Sequence, residues 1–188
     1  MGARWQLTFI INNRRYCFNY SYDGYFSTVG VEIILELKKL LSIDPTLRQI
    51  TSHFTRNIPT LEDIQRNYTE EQIDEFEYER FSGDYSNPII KTLTSRLLYT
   101  DENDDVENIF VINLDTRNFT MKDLILDQDE YEKFQTKLLE RDIEIEQVVR
   151  NTLHGMFINH EIFLEYPNNK WRFKNSSDFT LSFDKLMN

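Results

Sequence analysis

The chain has 188 residues, a single cysteine, 14% aromatic residues and a formal charge of −11. This length supports one domain with a substantial core and is short for two, while the aromatic content argues against a disordered chain. Lone Cys17 excludes an internal disulfide, no apolar run approaches the ~20 residues that span a bilayer, and Arg14-Arg15 interrupts the only early apolar stretch, so a cytoplasmic protein without a secretory signal is expected.

Trp5 to Ile11 and Tyr16 to Tyr22 each alternate, with Asn12-Asn13 between them, and predict a β-hairpin. Gly24 follows Asp23 at the end of the second strand, where a positive φ is expected of the glycine. Asp23 is expected to cap the turn or helix that follows through backbone N–H groups. A helix from near Val29 comes next. Val31, Ile33, Ile34, Leu35, Leu37, Leu40 and Leu41 give it a wide apolar stripe, which marks it as the central core helix. Asp44-Pro45 predicts the next helix start, with Leu47, Ile50 and Phe54 on one face. Thr60 with Asp63, and Thr69 with Gln72, read as further starts, and Asn87-Pro88 opens a helix carrying Ile89, Leu93 and Leu97. Asp101 to Glu107 is an acidic loop. Ile109 to Leu114 predicts a strand, Asp115 to Asn118 a turn, and Phe119 to Met121 an antiparallel return. Asp129 to about Asn151 reads as one long helix or two consecutive ones, and Gly155 as a helix breaker. Met156 to Tyr166 and Lys170 to Lys174 form a candidate terminal hairpin. The expected architecture is a single α+β domain over residues 1–188, with one mostly antiparallel sheet built from N-terminal, central and C-terminal hairpins and packed by several helices.

Gly2, Arg4 and Tyr22-Asp23-Gly24-Tyr25, with Ile109 to Met121, resemble a widespread family of small proteins. Its members start Met-Gly-Thr-Arg, make a short hairpin and show an Asp-Gly-Tyr box before a helix. They occur in fungi, phages and bacteria, and a ribosome-bound dormancy factor of microsporidia looks like another. Ala3 stands where the family usually has Thr, and Phe26 where it usually has Pro. The family's later strand reads aromatic-Val-Ile-Asp-Leu-Asp; Asn113 replaces the first Asp and Asp115 matches the second. The resemblance implies a non-enzymatic dormancy (hibernation) factor that occupies a tRNA site, the exit site, of idle ribosomes and contacts ribosomal RNA and proteins. A monomer is expected.

The residues themselves outline no catalytic centre. Five scattered glycines make no phosphate loop. His53, His154 and His160 are too few and too poorly spaced for a metal centre, so neither metal nor cofactor is expected. Cys17, between aromatic residues in a strand, reads as a small core hydrophobe rather than a nucleophile. A rival reading is an enzyme or small-ligand binder centred on the Asp-Gly-Tyr box, which needs a pocket joining Asp23 with Arg4, Asp115 or a histidine.

The charge is unevenly spread. Residues 1–58 hold seven basic and four acidic residues, residues 59–148 nine and twenty-four, and residues 149–188 five and four. Both ends are therefore mildly basic and the middle is strongly acidic. The middle is either a solvated surface or the face of an adaptor for a basic partner protein. Arg4, Arg14, Arg15, Lys170, Trp171, Arg172 and Lys174 are the candidate contacts to RNA or ribosome. Lys170 to Lys174, as a strand, alternates cations with aromatics, suited to phosphates and unpaired bases. The same alternation suits an ordinary edge strand. If the two terminal hairpins neighbour each other in one sheet, their charges merge into one face.

Overall fold

A computed structural model of the chain describes residues 3–20, 23–55, 69, 71, 85–94, 106–122, 125–159, 162–165, 170–173 and 178–188; of 125–128, 157–159, 162–165 and 170–173 it describes the backbone only. The architecture is α+β, as expected. Strands β1 (Trp5–Ile11) and β2 (Arg14–Tyr20) form the N-terminal hairpin, with Leu7 opposite Phe18. Asn12 and Asn13 turn the chain with φ of 52° and 60°. Two successive left-handed residues match the right-handed strand twist, and asparagine tolerates that conformation better than most. Trp5, Leu7, Phe9, Ile11, Phe18 and Tyr20 face the core and are buried.

A wide π-helical turn (Phe26–Gly30) leads directly into α1 (Val31–Ile43). Phe26 sets its ring edge-on to Phe110 at 5.9 Å. Val31, Ile33, Ile34, Leu37 and Leu41 are buried, so α1 is the central core helix. Helix α2 (Arg48–Thr55) starts three residues later than Pro45 suggests. The Asp44 carboxylate accepts from the Thr46 N–H and hydroxyl and from the Arg48 N–H, and these bonds hold its pKa below the usual carboxylate range. Leu47, Ile50 and Phe54 are buried as expected. Helix α3 (Pro88–Thr94) opens on Pro88, as expected. The start expected at Thr60 lies outside the described residues, as do most of the acidic loop and Leu97, while Glu71, just past the start expected at Thr69, is helical.

Strands β3 (Asn108–Asn113) and β4 (Asn118–Lys122) form the expected central hairpin. β5 (Ile125–Asp127) follows, then α4 (Gln128–Arg141) and α5 (Ile143–Asn159). The helical stretch is thus two helices, broken at Asp142. Its carboxylate accepts from the Ile145 N–H at 3.0 Å and from Lys38 Nζ at 2.6 Å, tying the junction to α1. Gly155 does not break α5. Ile145, Val149, Leu153 and Met156 recur at helical spacing and are buried, and that packing outweighs the roughly 1 kcal/mol that glycine costs a helix. Met156 is therefore helical, and the strand expected from it is only β6 (Ile162–Glu165).

The sheet differs from expectation in two ways. Its order is β2-β1-β3-β4-β8, where β8 is Phe179–Ser182, and β1 pairs with β3 in parallel. The helical crossover between β2 and β3 permits that direction. The C-terminal hairpin forms, as β6 with β7 (Lys170–Phe173), but it joins β5 in a second sheet of order β5-β7-β6. The outer edge of β4 is already taken by β8, whose Phe179 and Leu181 are fully buried. Helix α6 (Phe183–Met187) closes the core with Phe183 and Leu186.

Candidate functional site

The Asp-Gly-Tyr box is folded against the start of β1. The Gly24 N–H donates to the Ala3 carbonyl at 2.9 Å, and Asn108 Nδ2 donates to the Gly24 carbonyl at 2.9 Å. The positive φ belongs to Asp23 (54°), not to Gly24. Gly24 is required for another reason: a Cβ there would lie 2.3 Å from the Cβ of fully buried Trp5. Nor does the Asp23 carboxylate cap the helix. It accepts from Tyr85 Oη at 2.6 Å, while the Ser27 N–H at the π-helical turn donates to Glu130 of α4 at 2.8 Å. Burial first, and then Asp23, push the Tyr85 hydroxyl up to about 12. The Asp23 carbonyl accepts from Thr28 Oγ1. Tyr25 is exposed, Arg4 is exposed, and the Arg4 carbonyl accepts from the N–H groups of Glu107 and Asn108. Gly2 and Tyr22 lie outside the described residues.

Asp115 works at the opposite end of β1. Its two carboxylate oxygens accept from the Asn12 and Asn13 N–H groups, each at 2.8 Å, and so brace the β1–β2 turn. Asn113 Oδ1 accepts from the N–H groups of Asp115 and Thr116. Asp23 and Asp115 are separated by the length of a seven-residue strand, about 24 Å.

The candidate RNA contacts fall into three places. Arg4 precedes β1, Arg14 and Arg15 are exposed at the far end of the same hairpin, and Lys170, Trp171 and Arg172 lie on β7 in the second sheet. Lys174 lies outside the described residues. The two terminal hairpins do not share a sheet, so the expected merging within one sheet does not occur. β7 is a central strand, flanked by β5 and β6, rather than an edge.

No protein-family model, curated protein or solved structure matches the chain. Among the described residues, no group of three or more His, Cys, Asp or Glu side chains is placed to hold a metal ion, and no helix is long and apolar enough to cross a membrane. Cys17 is buried and lies 3.5 Å from Thr8 Oγ1, on a sheet face where Gln6 and Thr8 are also buried. His53 sets its ring edge-on to Phe54, His154 is exposed on α5, and His160 lies outside the described residues.

One residue escaped sequence reasoning. Glu36 is buried on α1, and its carboxylate accepts from the Ile89 and Ile90 N–H groups at the start of α3, at 2.6 and 2.9 Å. Burial raises its pKa to about 6, against the lowering pull of those N–H groups and of Lys91. The signal was present: an acid one turn after Ile33 and one turn before Leu40 on the apolar face.

Proposed function

We propose that the chain is a non-enzymatic, ribosome-associated factor of the dormancy type, which occupies a tRNA site, the exit site, of idle ribosomes. The observation that carries the reading is where the resemblance residues sit. Gly24 permits the close approach of the box to Trp5, Asp23 clasps Tyr85, and Asp115 braces the hairpin turn. These are joints of one frame, so the shared residues support a shared fold rather than a chance match of short motifs. The same geometry weighs against the rival ligand site: the Asp23 and Asp115 carboxylates are engaged by the chain itself, at opposite ends of β1. Mildly basic ends suit contact with ribosomal RNA, and the acidic middle suits basic ribosomal proteins.

Cosedimentation with purified ribosomes across a salt series tests the proposal. The wild type is expected in the ribosomal fraction at low salt and to leave it as salt rises. Charge reversal at Lys170, Arg172 and Lys174 should lower affinity and flatten that dependence if this strip takes part. A wild type that stays at the top of the gradient at low salt refutes the ribosome reading.

A further inference from the structure

Residues 85–94 run from the Asp-Gly-Tyr box to the central helix and are fastened at three points. Tyr85 Oη donates to the Asp23 carboxylate at 2.6 Å. The Ile89 and Ile90 N–H groups, in the first turn of α3, donate to Glu36 of α1 at 2.6 and 2.9 Å. Thr92 Oγ1 lies 2.6 Å from Tyr20 Oη of β2. A helix of seven residues is too short to persist on its own, so α3 exists because it is docked. Ile89 and Leu93 supply buried apolar contact. The seam is nonetheless not filled: an apolar cleft of about 50 Å³, lined by Leu40, Leu47, Ile90 and Leu93, opens between α1, α2 and α3. Side chains facing such a gap forfeit contacts there, so the polar fastenings weigh more in the docking.

We propose that residues 85–94 form a strap whose docking is linked to a proton on Glu36: held tightly when the carboxyl is protonated, and opened locally, without unfolding of the five-stranded sheet, when it is ionised. Of the two carboxylates that fasten the strap, Asp23 is half-buried and Glu36 is buried. A carboxylate taken out of water loses more hydration than two N–H groups restore. Burial therefore outweighs the pull of the Ile89 and Ile90 N–H groups and raises the Glu36 pKa from 4.5 to about 6. Among the described residues, the charges that bear on it are Lys91 of α3, which favours the ion, and Glu32 of α1, which opposes it.

Undocking α3 returns Glu36 to water and to its ordinary acidity, so the docked state binds the proton more tightly. Docking is then strongest below about pH 4.5 and weakens as pH rises through about 6, by about 30-fold over that window. Tyr85 rides on the same strap, so ionisation at α1 also loosens its clasp on Asp23. The box and the central helix are coupled through residues 85–94, and the coupling needs no ligand.

Amide hydrogen exchange of the full chain, followed by NMR from about pH 4.5 to 7.5 and corrected for intrinsic rates, reads this opening. In the wild type, the amides of Ile89, Ile90 and the rest of α3 should be less protected than those of β1 and β3 and nearly insensitive to low urea. Their protection should fall by about 30-fold across the window. Glu36→Gln should abolish that fall. Tyr85→Phe should lower α3 protection at every pH while keeping the fall, because it loosens the strap without touching Glu36. In parallel, the side-chain carboxyl carbon of Glu36 should titrate near pH 6 in the wild type. Exchange of α3 amides at the same level and urea dependence as the sheet would overturn the local opening. A fall that survives in Glu36→Gln, or disappears in Tyr85→Phe, would move the proton to Asp23 and overturn the assignment. So would a Glu36 carbon that titrates near its ordinary value, a reading that holds even if Glu36→Gln does not fold.

Discussion

Gly24→Ala isolates why the Asp-Gly-Tyr box needs its glycine. The added Cβ would lie 2.3 Å from Trp5 Cβ and 2.4 Å from both Cγ and Cδ1, against an ordinary carbon–carbon contact of about 3.5–4 Å. More than 1 Å of separation is needed, and neither partner moves easily. Trp5 is fully buried and stacked on Tyr20 at 4.3 Å, and Gly24 is held by bonds to the Ala3 carbonyl and from Asn108. Overpacking costs about 1–3 kcal/mol, and losing two hydrogen bonds adds about 1 kcal/mol each, giving roughly 3–5 kcal/mol in all. In a chain of this size that is a fall in Tm of about 6–20 °C. Gly24→Asn separates the two explanations, because asparagine tolerates a left-handed backbone but not a blocked Cβ. Thermal unfolding should place both variants far below the wild type. A Gly24→Ala protein within 1 kcal/mol of wild type, or a Gly24→Asn protein markedly more stable than Gly24→Ala, would refute the close-approach argument.

Two further outcomes follow from the buried and braced carboxylates. Glu36 has a pKa raised to about 6 from 4.5, so the folded state holds its proton more tightly than the unfolded chain; its contribution is fully present below about pH 4.5 and is lost as pH rises through about 6, a difference of about 2 kcal/mol. Urea midpoints of wild type and Glu36→Gln, compared from pH 7 to 4.5, should diverge by that amount across the window, and parallel pH profiles would sink the assignment. Asp115→Ala removes the acceptors of two N–H groups in a turn with two left-handed residues, and should cost about 1–2 kcal/mol in urea denaturation. Asp115→Asn, keeping one acceptor oxygen, should fall between, and wild-type stability in both variants would show that the turn needs no brace.

Much of the fold was legible because it is periodic. The alternation of Trp5 to Ile11, the stripe of α1 and the turn at Asp115 to Asn118 are local signals, and the structure follows each. The parallel β1–β3 pair was not legible, because strand partners across a helical crossover leave no short-range trace. β8 and α6 were missed because each is too short to show a period: Phe179 and Leu181, then Phe183 and Leu186, give only two core residues apiece. Gly24 was identified as indispensable for the wrong physical reason, since a sequence shows that a glycine is present but not which atom comes near it. Glu36 was visible as an acid within an apolar stripe, yet its partners are backbone N–H groups 53 and 54 residues away.

The division of labour among these residues bears on how the resemblance should be used. Asp23, Gly24 and Asp115 are spent inside the fold, on Tyr85, Trp5 and the Asn12-Asn13 turn. Changing them alters stability first, and any loss of binding then follows from unfolding.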